Sequence, residues 1–108
     1  MFNPTDIATR IADRGREWAQ MQSQANLLEE QGKSLLALIT KELIAAGDSA
    51  TQAHSTARAD PRWEVHINGL VVAQEKAIIA KTRYEAAKEY SQNMRTEQAT
   101  RRAEMQLT

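Results

Sequence analysis

Apolar side chains in the first forty residues recur at alternating steps of four and three. Ile7, Ile11, Trp18, Met21, Ala25, Leu28, Leu35 and Ile39 form one stripe once Arg14 and Gly32 fill its two gaps. That rhythm places them all on one side of a long helix. Asn3-Pro4-Thr5-Asp6 reads as its start: Asn accepts from orphan amides of the first turn, Pro suits the first helical position, and Asp complements the helix dipole. Gly47 after Leu43-Ile44-Ala45-Ala46 offers a left-handed cap, so the pattern predicts a helix over about 4–46, on the order of 60 Å long.

Residues 47–60 are small and polar and predict a connector. Asp48 or Ser49 suits the cap of a short alanine-supported helix there, but the segment has no large apolar side chain to anchor it. Asp60-Pro61 repeats the cap-and-proline signature and restarts the helical pattern. Trp63 to Ala73 carries two conflicting signals. Apolar residues alternate at 63, 65 and 67, and Asn68-Gly69 is a hairpin dipeptide. An isolated two-stranded hairpin is marginal in water, however, and the seven-residue rhythm from Leu70 runs on through Tyr90. Helix is therefore expected over about 61–106, with a short β-hairpin at 63–73 as the alternative.

Within that second long helix, Leu70, Ala73, Ala77, Ala80, Tyr84, Ala87 and Met94 make a stripe of mostly small residues suited to close approach of a partner helix. Val65, Val72, Ile79 and Ala86, with Val71 and Ile78, fall on other faces. One antiparallel partner covers one side of such a helix and leaves the rest open. The expected fold is all-α: a single helical domain over 1–108, built as a long, coiled-coil-like antiparallel hairpin and assembled into a homo-oligomer. Its expected interface is Val65, Ile67, Val71, Val72, Ile78 and Ile79, and its inter-helix anchors are Trp18, Leu28, Leu35, Trp63 and Tyr84. A three-helix monomer covered by the 48–60 segment is the alternative. A reversal near 47–60 would set Leu43 and Ile44 near Trp63 and Val65, and Trp18 nearer Lys88 to Arg95.

Composition narrows the chemistry. The chain has 108 residues and no cysteine, which excludes disulfides, thiolate zinc sites and a cysteine nucleophile, and makes a reducing cytoplasm the expected location. No secretory leader and no membrane-spanning run is evident. His54 and His66 are the only imidazoles, with no acidic residue at ligand-like spacing from both, so no metal is expected. Glu29, Glu30, Glu85 and Glu89 each have a basic neighbour, which favours solvated pairs such as Glu29–Lys33, Glu85–Lys88 and Glu97–Arg101 over general acid–base chemistry. No phosphate loop or dinucleotide fingerprint occurs. Neither enzymatic activity nor a cofactor is expected.

Lys+Arg and Asp+Glu balance at 14 each, yet residues 76–102 hold seven cations against three carboxylates, locally +4. Tyr84 and Tyr90 lie among those bases, a footprint suited to following a nucleic-acid backbone. Lys81, Arg83, Lys88, Arg95, Arg101 and Arg102 are the candidate phosphate contacts. The segment Arg83-Tyr84-Glu85-Ala86-Ala87-Lys88-Glu89-Tyr90, followed by Arg95-Thr96-Glu97-Gln98-Ala99-Thr100-Arg101-Arg102-Ala103-Glu104-Met105, resembles the C-terminal part of small all-helical phage and prophage proteins found among recombination and single-strand annealing genes. The resemblance implies a mediator-like accessory role in DNA recombination, in the host cytoplasm. Its implied partners are single-stranded DNA, a recombinase or annealing protein, and further copies of the chain. A helical adaptor or inhibitor of a host protein, and a scaffold bundle, are the competing readings.

Overall fold

The computed structural model describes residues 3–107, which form three helices and no strand: α1 (Pro4–Ala45), α2 (Ala50–Ala57) and α3 (Pro61–Leu107). Their ends follow from local capping chemistry. Asn3 Oδ1 accepts the Thr5 N–H at 3.0 Å, and the Asn3 carbonyl accepts from Asp6 and Ile7. At the far end of α1, Gly47 takes φ 114°, its N–H bonds the Ile44 carbonyl, and the Asp48 N–H bonds the Leu43 carbonyl. This is the glycine-dependent pair of bonds that closes many helices. Asp60 opens α3, its carboxylate accepting the Arg62 N–H at 2.8 Å and its carbonyl accepting from Trp63 and Glu64.

The stretch 63–73 is helical throughout, so the hairpin alternative is corrected. A helix satisfies its backbone within the segment, whereas a lone hairpin would leave two open edges. The 47–60 connector contains a short helix, α2, of the kind Ser49 was suited to cap, and differs from the expectation in being anchored. Ser49 and Gln52 form a reciprocal capping box at its start. The missing large anchor is replaced by two alanines, Ala53 and Ala57, buried to 0% and 1% exposure.

The chain divides into two compact units, Gln20–Ala77 and the pair Met1–Ala19 with Ile78–Thr108. In the first, α1 and α3 run antiparallel, with Gly32 against Trp63 and His66, and Glu42 against Arg62. Its buried apolar residues are Ala25, Ile39, Ala53, Ala57 and Ala77. In the second, Gly15 faces Tyr84 and Glu17 faces Arg83, again antiparallel. Ala80 and Ser91 are buried there, and Ile7, Ile11, Trp18, Tyr84, Ala87 and Met94 are half-buried.

The pairing register departs from the expected one. Trp63 packs against Gly32, Val65 is exposed, and the ring and cation contacts of Trp18 are to Tyr84 and Lys81, ahead of the expected Lys88 to Arg95. Glycines on α1 decide this. A Cβ built on Gly32 would stand 2.5 Å from His66 Nε2 and 3.4 Å from the Trp63 ring, so the aromatic pair occupies a notch that only glycine leaves open. Gly15 provides a shallower seat for Tyr84, whose ring lies 3.4 Å from the corresponding Cβ position.

Candidate interaction surface

Helix α3 sorts its side chains by size. Its inward residues are Ala77 and Ala80, fully buried, with Leu70, Ala73, Tyr84, Ala87 and Met94 half-buried. The larger β-branched side chains lie outside: Val65 is 72% exposed, Ile78 64%, Ile79 52%, and Val71 and Val72 nearly half. Of the six residues expected at an interface, these five are exposed and Ile67 is half-buried in its own unit. Val65, Val72 and Ile79 recur every seven residues, which keeps them on one side of a helix with a drift of about 20° per step. Val71 and Ile78 form a second row, about 100° round the helix from the first, so the five exposed Val and Ile side chains make two aliphatic rows outside an inner face that is mainly alanine.

The five expected anchors, Trp18, Leu28, Leu35, Trp63 and Tyr84, are all half-buried. Trp18 and Tyr84 rings lie 5.5 Å apart at a 32° tilt, with Lys81 Nζ 5.7 Å from the indole centroid and Lys88 Nζ 5.1 Å from the Tyr84 ring. In the other unit, Trp63 stacks on His66 at 5.5 Å. The Trp18 indole N–H and His66 Nε2 are buried without a hydrogen-bond partner among the described residues.

The candidate phosphate contacts divide sharply. Arg83 pairs with Glu17 at 3.3 Å and Arg101 with Glu97 at 2.7 Å, while Lys81 and Lys88 sit over aromatic rings. Arg95 and Arg102 make no ion pair among the described residues. Of the sequence-based ion pairs, Glu97–Arg101 forms. Lys33 instead reaches Glu30, whose hydrogen bond raises its pKa, and Lys88 goes to Tyr84. Arg62 links the ends of two helices: it bonds Asp60 and reaches Glu42 at 2.7 Å. Its hydrogen bonds hold both carboxyl groups below their ordinary values, and those carboxylates raise the pKa of Arg62.

Two features escape the heptad pattern. A groove of about 430 Å³ runs between the start of α1 (Pro4, Ile7, Ile11) and α3 at Met94, Arg95 and Gln98. It arises where two narrow stripes meet, and only the antiparallel register reveals it. Leu27, Leu38 and Ile44 are exposed on α1, off the stripe that pairs with α3. Among the described residues no cluster of His, Asp or Glu has the makings of a metal site, and no helix is long and apolar enough to cross a membrane. Comparison with known protein families, curated proteins and solved structures finds no match.

Proposed function

We propose that this protein is a non-enzymatic accessory protein that works as an oligomer, its copies joined through the outward band of α3. One observation carries the reading: among the described residues the buried apolar side chains are alanines apart from Ile39, while Val65, Val71, Val72, Ile78 and Ile79 face water. Apolar area is worth roughly 25 cal/mol per Å² when removed from water. A band of aliphatic side chains along one helix is therefore a contact surface waiting for cover. Sedimentation equilibrium tests this. The wild-type chain is expected to be oligomeric at tens of micromolar, and Ile79→Glu to reduce it to monomers of unchanged helicity. A wild-type chain that stays monomeric at that concentration overturns the reading.

A second reading, contact with single-stranded DNA in phage-type recombination, is supported by Arg95 and Arg102, which lie exposed on α3 without ion-pair partners among the described residues. Several copies would multiply a weak individual contact. The Arg95→Ala/Arg102→Ala double variant should lose binding to a labelled oligonucleotide at low salt, whereas Arg83→Ala, already committed to Glu17, should lose less. Equal affinity of wild type and double variant rules out this contact.

A further inference from the structure

The groove at the start of α1 lies wholly within the unit formed by 1–19 and 78–108, and its two walls differ in chemistry. The α1 wall is Pro4, Ile7, Ile11 and two alanines, a continuous apolar stripe at helical spacing. Its polar groups all come from α3, where Ser91, Arg95 and Gln98 follow one another at steps of four and three beside Met94. Ser91 is only 8% exposed. The hydroxyls of Thr82, Thr96 and Thr100 on the same helix each donate to the carbonyl four residues back, whereas Ser91 makes no side-chain hydrogen bond among the described residues. A buried hydroxyl without a partner is costly and is relieved by any acceptor that reaches it. Arg95, one turn further on, is exposed and joins no ion pair among the described residues. Nearby acids do not offset it: on a helical wheel Asp6 and Asp13 lie across α1 from this wall and Glu89 lies across α3, while Glu97 is paired with Arg101.

We infer that this groove binds a small amphipathic carboxylate of fatty-acid type, its carboxylate held by Arg95 and Ser91 and its chain laid along Ile7 and Ile11. Guanidinium and hydroxyl stand one helical turn apart on one face, within reach of the two oxygens of a single carboxylate. The volume of about 430 Å³ falls within the range of about 300–1,000 Å³ usual for small-molecule sites. Other occupants fit less well. Both walls are helices whose backbones are bonded internally, so an extended peptide finds no strand edge to pair with. No aromatic ring is among the described lining residues, so a nucleobase has nothing to stack on. The apolar wall runs from Pro4 to Ala12, about 12 Å at 1.5 Å per residue, whereas a docked partner helix needs about 12–15 residues, roughly 20 Å, to hold its shape. The inference does not rest on the self-association proposed above, because no lining residue belongs to the aliphatic rows of α3.

Decanoate, titrated into the full chain below its micelle concentration, is the probe, and methyl NMR is the readout. The methyl signals of Ile7, Ile11 and Met94 should shift saturably, and decanol, the same chain without the charge, should bind at least fivefold more weakly. Arg95→Ala should weaken decanoate binding at least fivefold and Ser91→Ala at least twofold. Lys76→Ala, which removes an exposed cation outside the groove, should match wild type. Ala8→Trp fills the groove from an exposed position and should abolish the saturable shift with helicity and oligomer mass unchanged. Absence of a saturable shift in the wild type, equal affinity for decanol, or an Arg95→Ala chain no weaker than Lys76→Ala overturns the site. An Ala8→Trp chain of reduced oligomer mass overturns it as well, and assigns the groove to a second copy.

Discussion

The two sides of α3 invert the usual distribution of size. Toward α1 the helix presents Ala73, Ala77, Ala80 and Ala87; away from it stand Val65, Val71, Val72, Ile78 and Ile79. Small residues let two helix backbones come close and gain dense packing, but each removes little apolar area from water. Branched residues do the reverse: they carry more area and β-branched stiffness, and are well suited to a second helix surface. The inner side is therefore built for closeness and the outer side for area. The two are expected to fail differently when residues are exchanged.

The largest effect is expected at Ile39 on α1, the one large side chain fully buried among the described residues. Ile39→Ala empties a site that is 1% exposed and should cost about 2–5 kcal/mol in chemical denaturation. Ala80→Leu, on the inner side of α3, should cost about 1–3 kcal/mol by overpacking. Ile79→Ala on the outer side should change the stability of the isolated chain by less than about 0.5 kcal/mol, with its effect confined to association. If Ile79→Ala destabilised a verified monomer as much as Ile39→Ala, the distinction between the two sides would collapse.

Gly32 marks the closest approach within the inner packing. Gly32→Ala places a methyl group where His66 Nε2 now sits, and the imidazole is held against Trp63. A cost of about 1–3 kcal/mol is expected from forced displacement, outweighing the gain in helix propensity. Gly15→Ala is the internal control, since its Cβ would meet Tyr84 at 3.4 Å and fits with little movement. Thermal denaturation of the two variants, measured side by side, should show Gly32→Ala lower and Gly15→Ala unchanged or higher.

Much of this layering was legible in the sequence. Steps of four and three identified the stripe of α1 from Ile7 to Ile39, every member of which is half-buried or buried. The small stripe of α3 was equally plain because alanines recur at the same positions. The register was not legible, since a glycine in a heptad pattern reads as a gap, and only a neighbour's ring shows that the gap is occupied. The same limit hid the burial of α2, though not its Ser49 cap: without a large apolar residue nothing announced an anchor, yet Ala53 and Ala57 are buried because close packing needs only small side chains there. Among the basic residues, local +4 charge did not reveal which cations were already committed, because Glu17 reaches Arg83 across 66 positions of sequence.

Gly69 offers a smaller effect that sharpens the outer side. In the open space around it, Gly69→Ala should raise helix stability by about 0.5–1 kcal/mol. That gain should appear in full in an Ile79→Glu background, where the chain is expected to be monomeric. In the wild-type background it should shrink or reverse, because the methyl group then enters the proposed contact. Urea midpoints of the four chains, compared as a double-mutant cycle, measure the difference. Equal gains in both backgrounds would place Gly69 outside the oligomer contact.

The smallest expected effect separates surface electrostatics from both packed sides. Arg62 lowers the pKa of Glu42 and Asp60, so each carboxylate binds a proton less readily in the folded chain than in the unfolded one. Their contribution is present above the ordinary carboxylate pKa of about 4 and is lost as pH falls through the depressed folded values. Melting temperature should therefore decline below about pH 4, and Arg62→Ala should flatten the part of that decline due to this cluster. Glu42 and Arg62 are exposed and Asp60 is half-buried, so raised salt should weaken the difference. Because none of the three side chains belongs to the band on α3, the oligomer mass at neutral pH should be the same with and without Arg62. A variant that altered assembly as strongly as Ile79→Glu would place the contact at this end of the helix instead of on its outward face.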